Sequence, residues 1–396
     1  MPLALVRAGP MRHLSVPSSM TQQTIDILRE SGWLDTEHRI RPYDDGHILI
    51  PLNDNAPSEL PPAFVNLLII DAKPILSKSR ESWQSRFTEL VGEGVLENTI
   101  ITKSHEILGD LLIQRYDEVN EQYLSAFIQS KMEMHPRIRL MLIDHGVKGE
   151  FRIRDLQPIA VRTDRLIWGE DLMDLMDLES NILDPTTDVP ENGLRLRLDP
   201  SRVYFSSKLQ YERQNTTKEL SLFSAELGRP INICDPFCGV GPAIAPMLRQ
   251  EGLVGELLVN DLNPDCLPFL FHNLKPLRIL KPNFTPNNLV ESTPGIFVGC
   301  MDATQIPTKA DQCGRWDALL VNLPHQTLSL LPALLPLLRP EGPMRICGWT
   351  IIPESEVIGL PDKLSKIVDC NVEDIEVRVR KQFNVTDMLT AFIVRR

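Results

Sequence analysis

Short apolar runs alternate with helix-like segments throughout the second half of the chain. The strand-like runs are INICD, ELLVND, GIFVGCMDA, WDALLVNLP, MRICGWTII and LTAFIVRR. The helix-like segments between them are GPAIAPMLRQEG, CLPFLFHNLK and LSLLPALLPLL. Because this alternation is typical of βαβ units, it predicts an α/β domain with a mainly parallel sheet and helices on both faces.

The first half of the chain has a less regular pattern. TQQTIDILRESGWLD has helical spacing from Thr21, a candidate N-cap, to Gly32, and HILIPL at 47–52 reads as a strand. The polar NDNAPSELPP interrupts the pattern, and RLMLIDHG at 139–146 is a further strand candidate. The turn-rich NILDPTTDVPENG ends this part. We therefore predict three domains, namely a small N-terminal module over 1–60, a mixed α+β middle domain over 61–192 and the α/β domain over 193–396.

Composition limits the class of protein without identifying it. The 396 residues are 42% hydrophobic and 24% charged, as in an ordinary globular protein. No apolar run approaches the roughly 20 residues that cross a bilayer, so we predict no membrane segment. The formal net charge of -12 argues against indiscriminate nucleic-acid binding. Between Arg137 and Arg165 the sequence contains seven basic residues and four acidic residues. This local excess of positive charge suits a surface that contacts phosphates.

The cysteines and the N-terminal residues indicate the cellular compartment in which the protein works. All seven cysteines follow residue 230, and their spacing matches neither a disulfide framework nor a zinc site. Since this is typical of reduced thiols, we predict a cytoplasmic protein, and we expect a monomer without a metal. Residues 1–20 contain basic residues but no acid, which mildly resembles an organellar presequence. We favour a disordered leader, or a start at Met11 or Met20, over import.

A glycine-rich turn follows the first strand of the α/β pattern. CDPFCGVGP, residues 234–242, places Asp235 at the strand end and Gly239 and Gly241 in the turn behind it. In such a sheet, ligands bind beyond the carboxyl ends of the strands. A dinucleotide fingerprint, GxGxxG, fails because Ile244 stands where its last glycine belongs. The motif therefore favours a ligand without a pyrophosphate and disfavours a nicotinamide dehydrogenase.

Two more acids end the next two predicted strands. Asp261 in ELLVND lies 26 residues after Asp235, about where nucleotide-binding sheets hold an acid against ribose. Asp302 in CMDA ends the third strand, where adenine would lie. A single acid at such a position is commonly a turn or helix cap. Three of them at successive strand ends indicate a ligand, and ribose without pyrophosphate points to S-adenosylmethionine.

The fourth predicted strand ends in the tripeptide NLP, residues 322–324. Asn322 offers an amide and Pro324 stiffens the backbone, and base-modifying methyltransferases use Asn-Pro pairs to hold a planar group. We predict that both residues lie near the donated methyl group. An ordinary strand-to-helix turn is the alternative for this tripeptide.

With these motifs, the chain resembles the archaeal and eukaryotic tRNA (guanine-37, N1)-methyltransferases, which carry an RNA-binding N-terminal half. The resemblance covers nearly the whole chain. It rests on GWLDTEHRI, HILIPL, SHEILGDLLI, GVKGEFRIR, VYFSSKLQYER, DPFCGVGP, NDLNPD and NLP. It implies a Rossmann-like class I methyltransferase fold and S-adenosylmethionine as cofactor. It also implies the tRNA anticodon stem-loop as partner and methyl transfer to N1 of guanosine 37.

The resemblance also implies roles for individual residues. It makes Glu212 the general base and Arg152 a contact to the target base. It assigns cofactor contacts to Arg213, Phe237, Asp261, Leu262, Asp302, Ala303 and Asn322. These residue types suit the reaction, because guanine N1 carries a proton that a carboxylate can accept. A guanidinium can stabilise the negative charge that then develops on O6.

The sequence departs from the family pattern in places. Lys208 and Asn215 stand where arginine and a second basic residue are common, Ala243 replaces a larger residue, and an acidic insertion lies around 177–192. Lysine cannot reproduce the forked contacts of arginine, so these changes bear on efficiency more than on reaction type. Two alternatives stay open, namely the wybutosine-pathway aminocarboxypropyl transfer, disfavoured by NLP, and a tRNA-binding protein without catalysis.

Overall fold

The computed structural model describes residues 10–44, 46–58, 61, 64, 67–75, 82–95, 104–115, 121–149, 151–178, 180–275 and 287–396. The chain divides into two compact units, Met1–Val95 and Leu96–Arg396. None of the described helices is long and apolar enough to cross a membrane.

The first unit contains an antiparallel sheet in the order β2-β3-β1-β4. Leu14 on the central strand, Leu28 on a helix and Ile50 on the neighbouring strand are fully buried in its core. The elements of this unit are β1 (Met11–Pro17), α1 (Thr21–Glu30), β2 (Arg41–Asp44), β3 (His47–Pro51), β4 (Leu68–Ala72) and α2 (Trp83–Val91).

Two expectations for this unit need correction. Residues 11–17, which we predicted as part of a disordered leader, form the central strand β1, so the leader prediction is wrong for them. Their apolar side chains pack into the core, and residues 1–9 lie outside the described residues. The N-cap of α1 is Met20, whereas Thr21 is its first helical residue and bonds to the carbonyl of Pro17. The predicted helix and the strand HILIPL are confirmed.

The second unit begins with a five-stranded sheet in the order β5-β6-β7-β8-β9. The candidate strand RLMLIDHG is confirmed as part of β7, which pairs in parallel with β6 and antiparallel with β8. An antiparallel hairpin follows this sheet. The elements are β5 (Glu106–Leu108), β6 (Leu111–Arg115), α3 (Glu121–Met134), β7 (Leu140–Lys148), β8 (Ile153–Arg162), β9 (Leu166–Trp168), α4 (Glu170–Leu178), β10 (Thr187–Glu191) and β11 (Leu194–Leu198).

The rest of the second unit is built on a sheet in the order β14-β15-β13-β12-β16-β17-β19-β18. The strands from β15 to β17 are parallel, and the pairs at both ends are antiparallel. Its elements are α5 (Gln210–Leu227), β12 (Ile231–Asp235), α6 (Ile244–Leu248), β13 (Val254–Asn260), α7 (Cys266–Leu274), β14 (Leu289–Thr293), β15 (Ile296–Gly299), β16 (Ala318–Val321), α8 (Thr327–Leu334), β17 (Arg345–Pro353), α9 (Leu360–Val368), β18 (Ile375–Gln382) and β19 (Asp387–Arg395).

Side chains alternate between the two faces of this sheet, as the pleat requires. Ile233 packs into one apolar cluster with residues of α5, α6 and α7, and the next residue, Cys234, packs into another with residues of α8 and α9. Helices therefore cover both faces, as the alternating pattern predicts. The segment GPAIAPMLRQEG is helical only over α6, and Gly252 after it has a positive φ of 78°.

The compact units do not coincide with the three predicted domains. Strand β4 lies beyond residue 60 and pairs with β1, and residue 60 itself is outside the described residues. Asn192 lies in the turn of the β10–β11 hairpin, which is also where the acidic insertion was expected to end. The domain boundaries at residues 60 and 192 remain predictions from the sequence.

Candidate active site

The glycine turn after β12 has the conformation that its composition predicts. Gly239 and Gly241 have φ values of 53° and 85°, a region that side-chain-bearing residues rarely adopt. A Cβ added to Gly241 would lie 2.9 Å from Cδ1 of Leu270, so this glycine lets α7 pack against the turn. A Cβ on Gly239 would meet only the Tyr204 carbonyl oxygen, at 4.0 Å. The backbone at Gly239 is therefore open to an approaching group.

Replacing Gly241 by alanine is expected to destabilise the fold by about 1–3 kcal/mol more than replacing Gly252. Both glycines have positive φ, but a Cβ at Gly252 meets nothing within 4 Å, so the matched variant isolates the clash with Leu270. Urea unfolding followed by circular dichroism measures the difference. Equal midpoints for the two variants would contradict this account of the turn.

Asp261 connects the ends of β12 and β13. Its Oδ2 accepts a hydrogen bond from the Gly239 backbone N–H at 2.8 Å, and its Oδ1 accepts one from the Asn263 N–H at 2.9 Å. Burial raises the pKa of Asp261, although these two hydrogen bonds oppose the shift. The structure thus brings together Asp261 and Gly239, both predicted from sequence.

Asn260 is a buried residue of this edge that sequence reasoning missed. Its Nδ2 donates to the carbonyls of Pro236 and Met301 at 3.1 and 2.9 Å, and its Oδ1 accepts from the Met301 N–H. One amide therefore fixes the spacing of three neighbouring strand ends. The only signal in the sequence was the position of Asn260 beside Asp261.

Asp235 has a carboxylate oxygen without a protein partner. The residue is fully buried, and its Oδ1 accepts a hydrogen bond from the Phe237 N–H at 3.3 Å. Its Oδ2 is buried and has no hydrogen-bond partner within the described part of the chain. Burial raises the pKa of Asp235 to about 7, and the nearby Asp261 carboxylate adds to this shift. A buried, unsatisfied oxygen at a strand edge suits a donor or a cation from a ligand.

Asp302 follows β15, and its carboxylate already serves as a helix cap. Oδ1 accepts hydrogen bonds from the N–H and the hydroxyl of Thr304 at 2.9 and 2.8 Å. It caps the short 3-10 helix Ala303–Thr308, whose first residue is buried. Asp302 itself is exposed and acts as a helix cap, which is the alternative given for a single acid at a strand end. A ligand contact at Asp302 stays a prediction. Leu262, also predicted to contact the cofactor, is exposed beyond β13.

The NLP tripeptide follows β16 directly. The carbonyl of Pro324 accepts a hydrogen bond from the Ile351 N–H at 3.0 Å, which ties the tripeptide to β17. The side chain of Asn322 is half-buried and makes no hydrogen bond to any described residue. The edge thus offers a rigid backbone and an amide, while the Pro324 carbonyl is already engaged.

Arg152 lies in the turn between β7 and β8, and its charge acts on His325, which follows the NLP tripeptide. It has a positive φ of 52°, which is uncommon for a residue with a side chain, and its side chain is exposed. Burial lowers the pKa of His325, which follows the tripeptide, and the charge of Arg152 lowers it further. The His325 ring meets Phe383 edge-on with centroids 5.3 Å apart. The charge of Arg152 is therefore felt at His325, three residues after Asn322.

Glu212 lies in the first turn of α5 and is only 6% exposed. Its Oε1 forms an ion pair with Arg380 of β18, which sequence reasoning missed. Burial raises the pKa of Glu212, and the charges of Arg380 and Arg378 oppose the shift. Glu212 lines a cavity with Gly348 of β17. Since Gly348 pairs with Val321, the residue before Asn322, this cavity lies beside the strand end that carries the tripeptide.

Arg213, a predicted cofactor contact, is already engaged by the protein. Its Nε and one terminal nitrogen bond to the two oxygens of Glu191 at 2.6 and 2.5 Å. The same terminal nitrogen donates to the Ser206 carbonyl at 3.0 Å. Both partners of the ion pair are buried, so the pair fixes the β10–β11 hairpin against α5. A cofactor contact at Arg213 stays a prediction.

Most of the basic residues between 137 and 165 are engaged within the protein. Lys148 pairs with Asp155, Arg154 with Glu106 and Arg139 with Asp110. Arg162 donates to the carbonyls of Ile138 and Met132. Glu150, counted among the acids, lies outside the described residues. Arg137 and Arg152 are the exposed arginines of this stretch for which the described residues supply no ion pair.

The predicted residues thus form two groups along one edge of the sheet. Asp235, Gly239 and Asp261 are in direct contact or share an electrostatic interaction. Glu212 belongs to a separate cavity between α5 and the strands from β17 to β18. No hydrogen bond or ion pair within the described ranges joins Glu212 to Arg152 or to the aspartates. Their roles in chemistry stay predictions.

Comparisons with known proteins show what this chain is similar to. No family model matches the chain. The tRNA (guanine(37)-N(1))-methyltransferase Trm5b of Methanocaldococcus jannaschii is 26% identical over 271 residues, which cover 66% of this chain and 69% of that protein. The tRNA (guanine(37)-N(1))-methyltransferase of Trichomonas vaginalis is 26% identical over 257 residues, 63% of this chain and 55% of that protein.

A solved structure extends the likeness over the whole chain. It is a complex of aTrm5 with tRNALeu, and it has a TM-score of 0.57 at 21% identity. The match covers 98% of this chain and 99% of that chain. The predicted class I methyltransferase fold is confirmed by this likeness. In sequence, the chain is thus similar to tRNA (guanine(37)-N(1))-methyltransferases of archaea and eukaryotes.

Proposed function

We propose that this protein transfers a methyl group from S-adenosylmethionine to N1 of guanosine 37 in tRNA. One observation carries the proposal, namely the edge at which β12, β13 and β16 present Asp235, Asp261 and Asn322 beside the open backbone of Gly239. The names of the sequence relatives supply the substrate. The chain aligns with 69% and 55% of the length of the two relatives described above. Because the alignment is partial, we propose the tRNA substrate for this chain and do not take it over from the relatives as established.

The residues at this edge fit S-adenosylmethionine. The unsatisfied Oδ2 of Asp235 can accept a hydrogen bond or face a positive charge, and the cofactor carries both an ammonium and a sulfonium group. Asp261 would hold the ribose, and Phe237, Leu262, Asp302 and Ala303 would surround the base. When bound, the cofactor supplies an electrophilic methyl group, and the reaction needs no further cofactor.

The chain supplies the proton acceptor and the charge for the target base. Guanine N1 must lose its proton to become a nucleophile, and the Glu212 carboxylate is the acceptor that we propose. Arg152 would stabilise the negative charge that develops on O6, since its planar fork matches such an acceptor. Asn322 would orient the base through its uncommitted amide. The middle domain over 61–192 would bind the anticodon stem-loop and turn the base outward.

The test uses the full chain, an unmodified tRNA transcript and labelled S-adenosylmethionine. We expect label in the RNA, with mass spectrometry locating one methyl group on guanosine 37 and none in a transcript with adenosine at that position. Addition of the larger aminocarboxypropyl group would replace the proposal by that alternative. Tight tRNA binding without any transfer would identify a binding protein instead. Sedimentation of the same sample checks the expected monomer.

A further inference from the structure

Arg380 reaches Glu212 from the edge of the sheet. It lies on β18, its guanidinium pairs with Oε1 of Glu212, and its side chain is 27% exposed whereas that of Glu212 is 8% exposed. The guanidinium carbon also lies 5.1 Å from the centre of the Tyr211 ring, which stands next to Glu212 on α5. Two contacts therefore hold this cation at one end of a largely buried carboxylate.

The other charged and titratable groups around Glu212 have partners of their own or carry no charge. Arg378, two residues before Arg380, pairs with Glu376, and Glu376 also accepts a hydrogen bond from Arg395 at 2.7 Å. Cys347 faces the same cavity from β17, and burial raises the pKa of its thiol to about 12, so it is neutral near pH 7. On α5 itself, Arg213 is committed to Glu191. Arg380 is thus the cation bound directly to Glu212.

We propose that Arg380 is a positioning residue that keeps Glu212 ionised and aimed at the proton it removes. This inference rests on the proposed function, in which Glu212 is the base. Burial favours the neutral carboxylic acid, which cannot accept a proton, and an adjacent cation favours the carboxylate. The pair also fixes one carboxylate oxygen, so the rotamer of Glu212 is set before RNA arrives. Arg380 touches neither substrate nor cofactor in this role.

The sign of the pH effect follows from this arrangement. Arg380 opposes the raised pKa of Glu212, so its removal moves that pKa further upward. A larger fraction of the enzyme then carries a protonated, inactive Glu212 at slightly acidic pH. The rate of methyl transfer falls most at low pH and recovers as the pH rises. A purely structural role would lower the rate by the same factor at every pH.

Single-turnover methyl transfer between pH 5.5 and 8.5 tests the proposal with Arg380→Met and Arg380→Lys. Methionine keeps an unbranched stem over Tyr211 without charge, and lysine keeps the charge without the fork. We expect Arg380→Met to lose about tenfold in rate at pH 6 relative to the natural protein and clearly less at pH 8. Arg380→Lys retains the pH profile of the natural protein with a lower plateau. Arg378→Met, on the same strand, shifts the profile less.

Each result has a defined meaning. A uniform loss at all pH values in Arg380→Met, or identical profiles for the methionine and lysine variants, overturns the proposal. Calorimetric binding of S-adenosylmethionine reports whether a variant is folded, and we expect it to be unchanged. If Arg380→Met does not bind the cofactor, the test rests on Arg380→Lys. A pH profile of Arg380→Lys that is shifted from that of the natural protein then contradicts the proposed role of the charge. Absence of transfer by the natural protein refutes the proposed function instead.

Discussion

Replacing Glu212 by glutamine is expected to slow methyl transfer to tRNA by about 10²- to 10⁴-fold, the usual contribution of a general base. Glutamine has nearly the same shape but cannot accept the proton of guanine N1. It also removes the negative partner of Arg380, so the effect includes an unpaired cation. Single-turnover transfer with saturating cofactor measures the chemical step without product release.

Glu226→Gln is the matched control for this experiment. Glu226 lies on the same helix, 14 residues or about 21 Å further along its axis. Its exposed carboxylate pairs with the buried Arg345, which Glu219 also holds. We expect its rate to stay within about twofold of the natural protein. If Glu212→Gln kept the natural rate while transfer still occurred at guanosine 37, another group would have to accept the proton.

Replacing Asp261 by alanine is expected to weaken binding of S-adenosylmethionine by about 10- to 100-fold. The substitution removes the acceptor of the Gly239 and Asn263 N–H groups, so the glycine turn loses its anchor. In the proposed complex it also removes the acceptor of the ribose hydroxyls. Titration calorimetry with the cofactor alone measures the loss without any RNA.

Asp362→Ala, on the exposed first turn of α9, is the corresponding control and should bind the cofactor with unchanged affinity. Asp261→Asn separates the two causes, because an amide can still accept one of the two backbone hydrogen bonds. We expect it to bind more tightly than the alanine variant. Unchanged affinity in Asp261→Ala would place the cofactor elsewhere on the sheet.

The parts of the site that sequence predicts are those fixed by short-range rules. The end of a strand, an acid at that end and a glycine turn follow one another within the nine residues of CDPFCGVGP. Parallel pairing then places Asp235 and Asp261 at the same edge without any knowledge of side-chain contacts. The same reasoning gave Asp302, where the structure shows that capping satisfies one carboxylate oxygen.

The parts that sequence does not predict depend on pairs far apart in the chain. Glu212 and Arg380 are 168 residues apart, and no periodicity connects them. Strand β18 was missed because EVRVRKQ alternates apolar and charged residues at an edge, where one face meets water. Glu191 was assigned to an insertion because its stretch is acidic, yet it is buried by its pairing with Arg213. Contacts between residues so far apart in the chain produce no pattern in the sequence around either residue.

The order of the last three strands has a consequence for how the enzyme matures. Strand β18 pairs with β19, and β19 in turn pairs with β17, so β18 joins the described sheet only through a later segment of the chain. Arg380 therefore has no place to dock on the described sheet until β19 has paired. Glu212, the proposed base, would lack its cation until β19 pairs with the sheet. The pairing of β19 is therefore required before the Glu212–Arg380 ion pair can form.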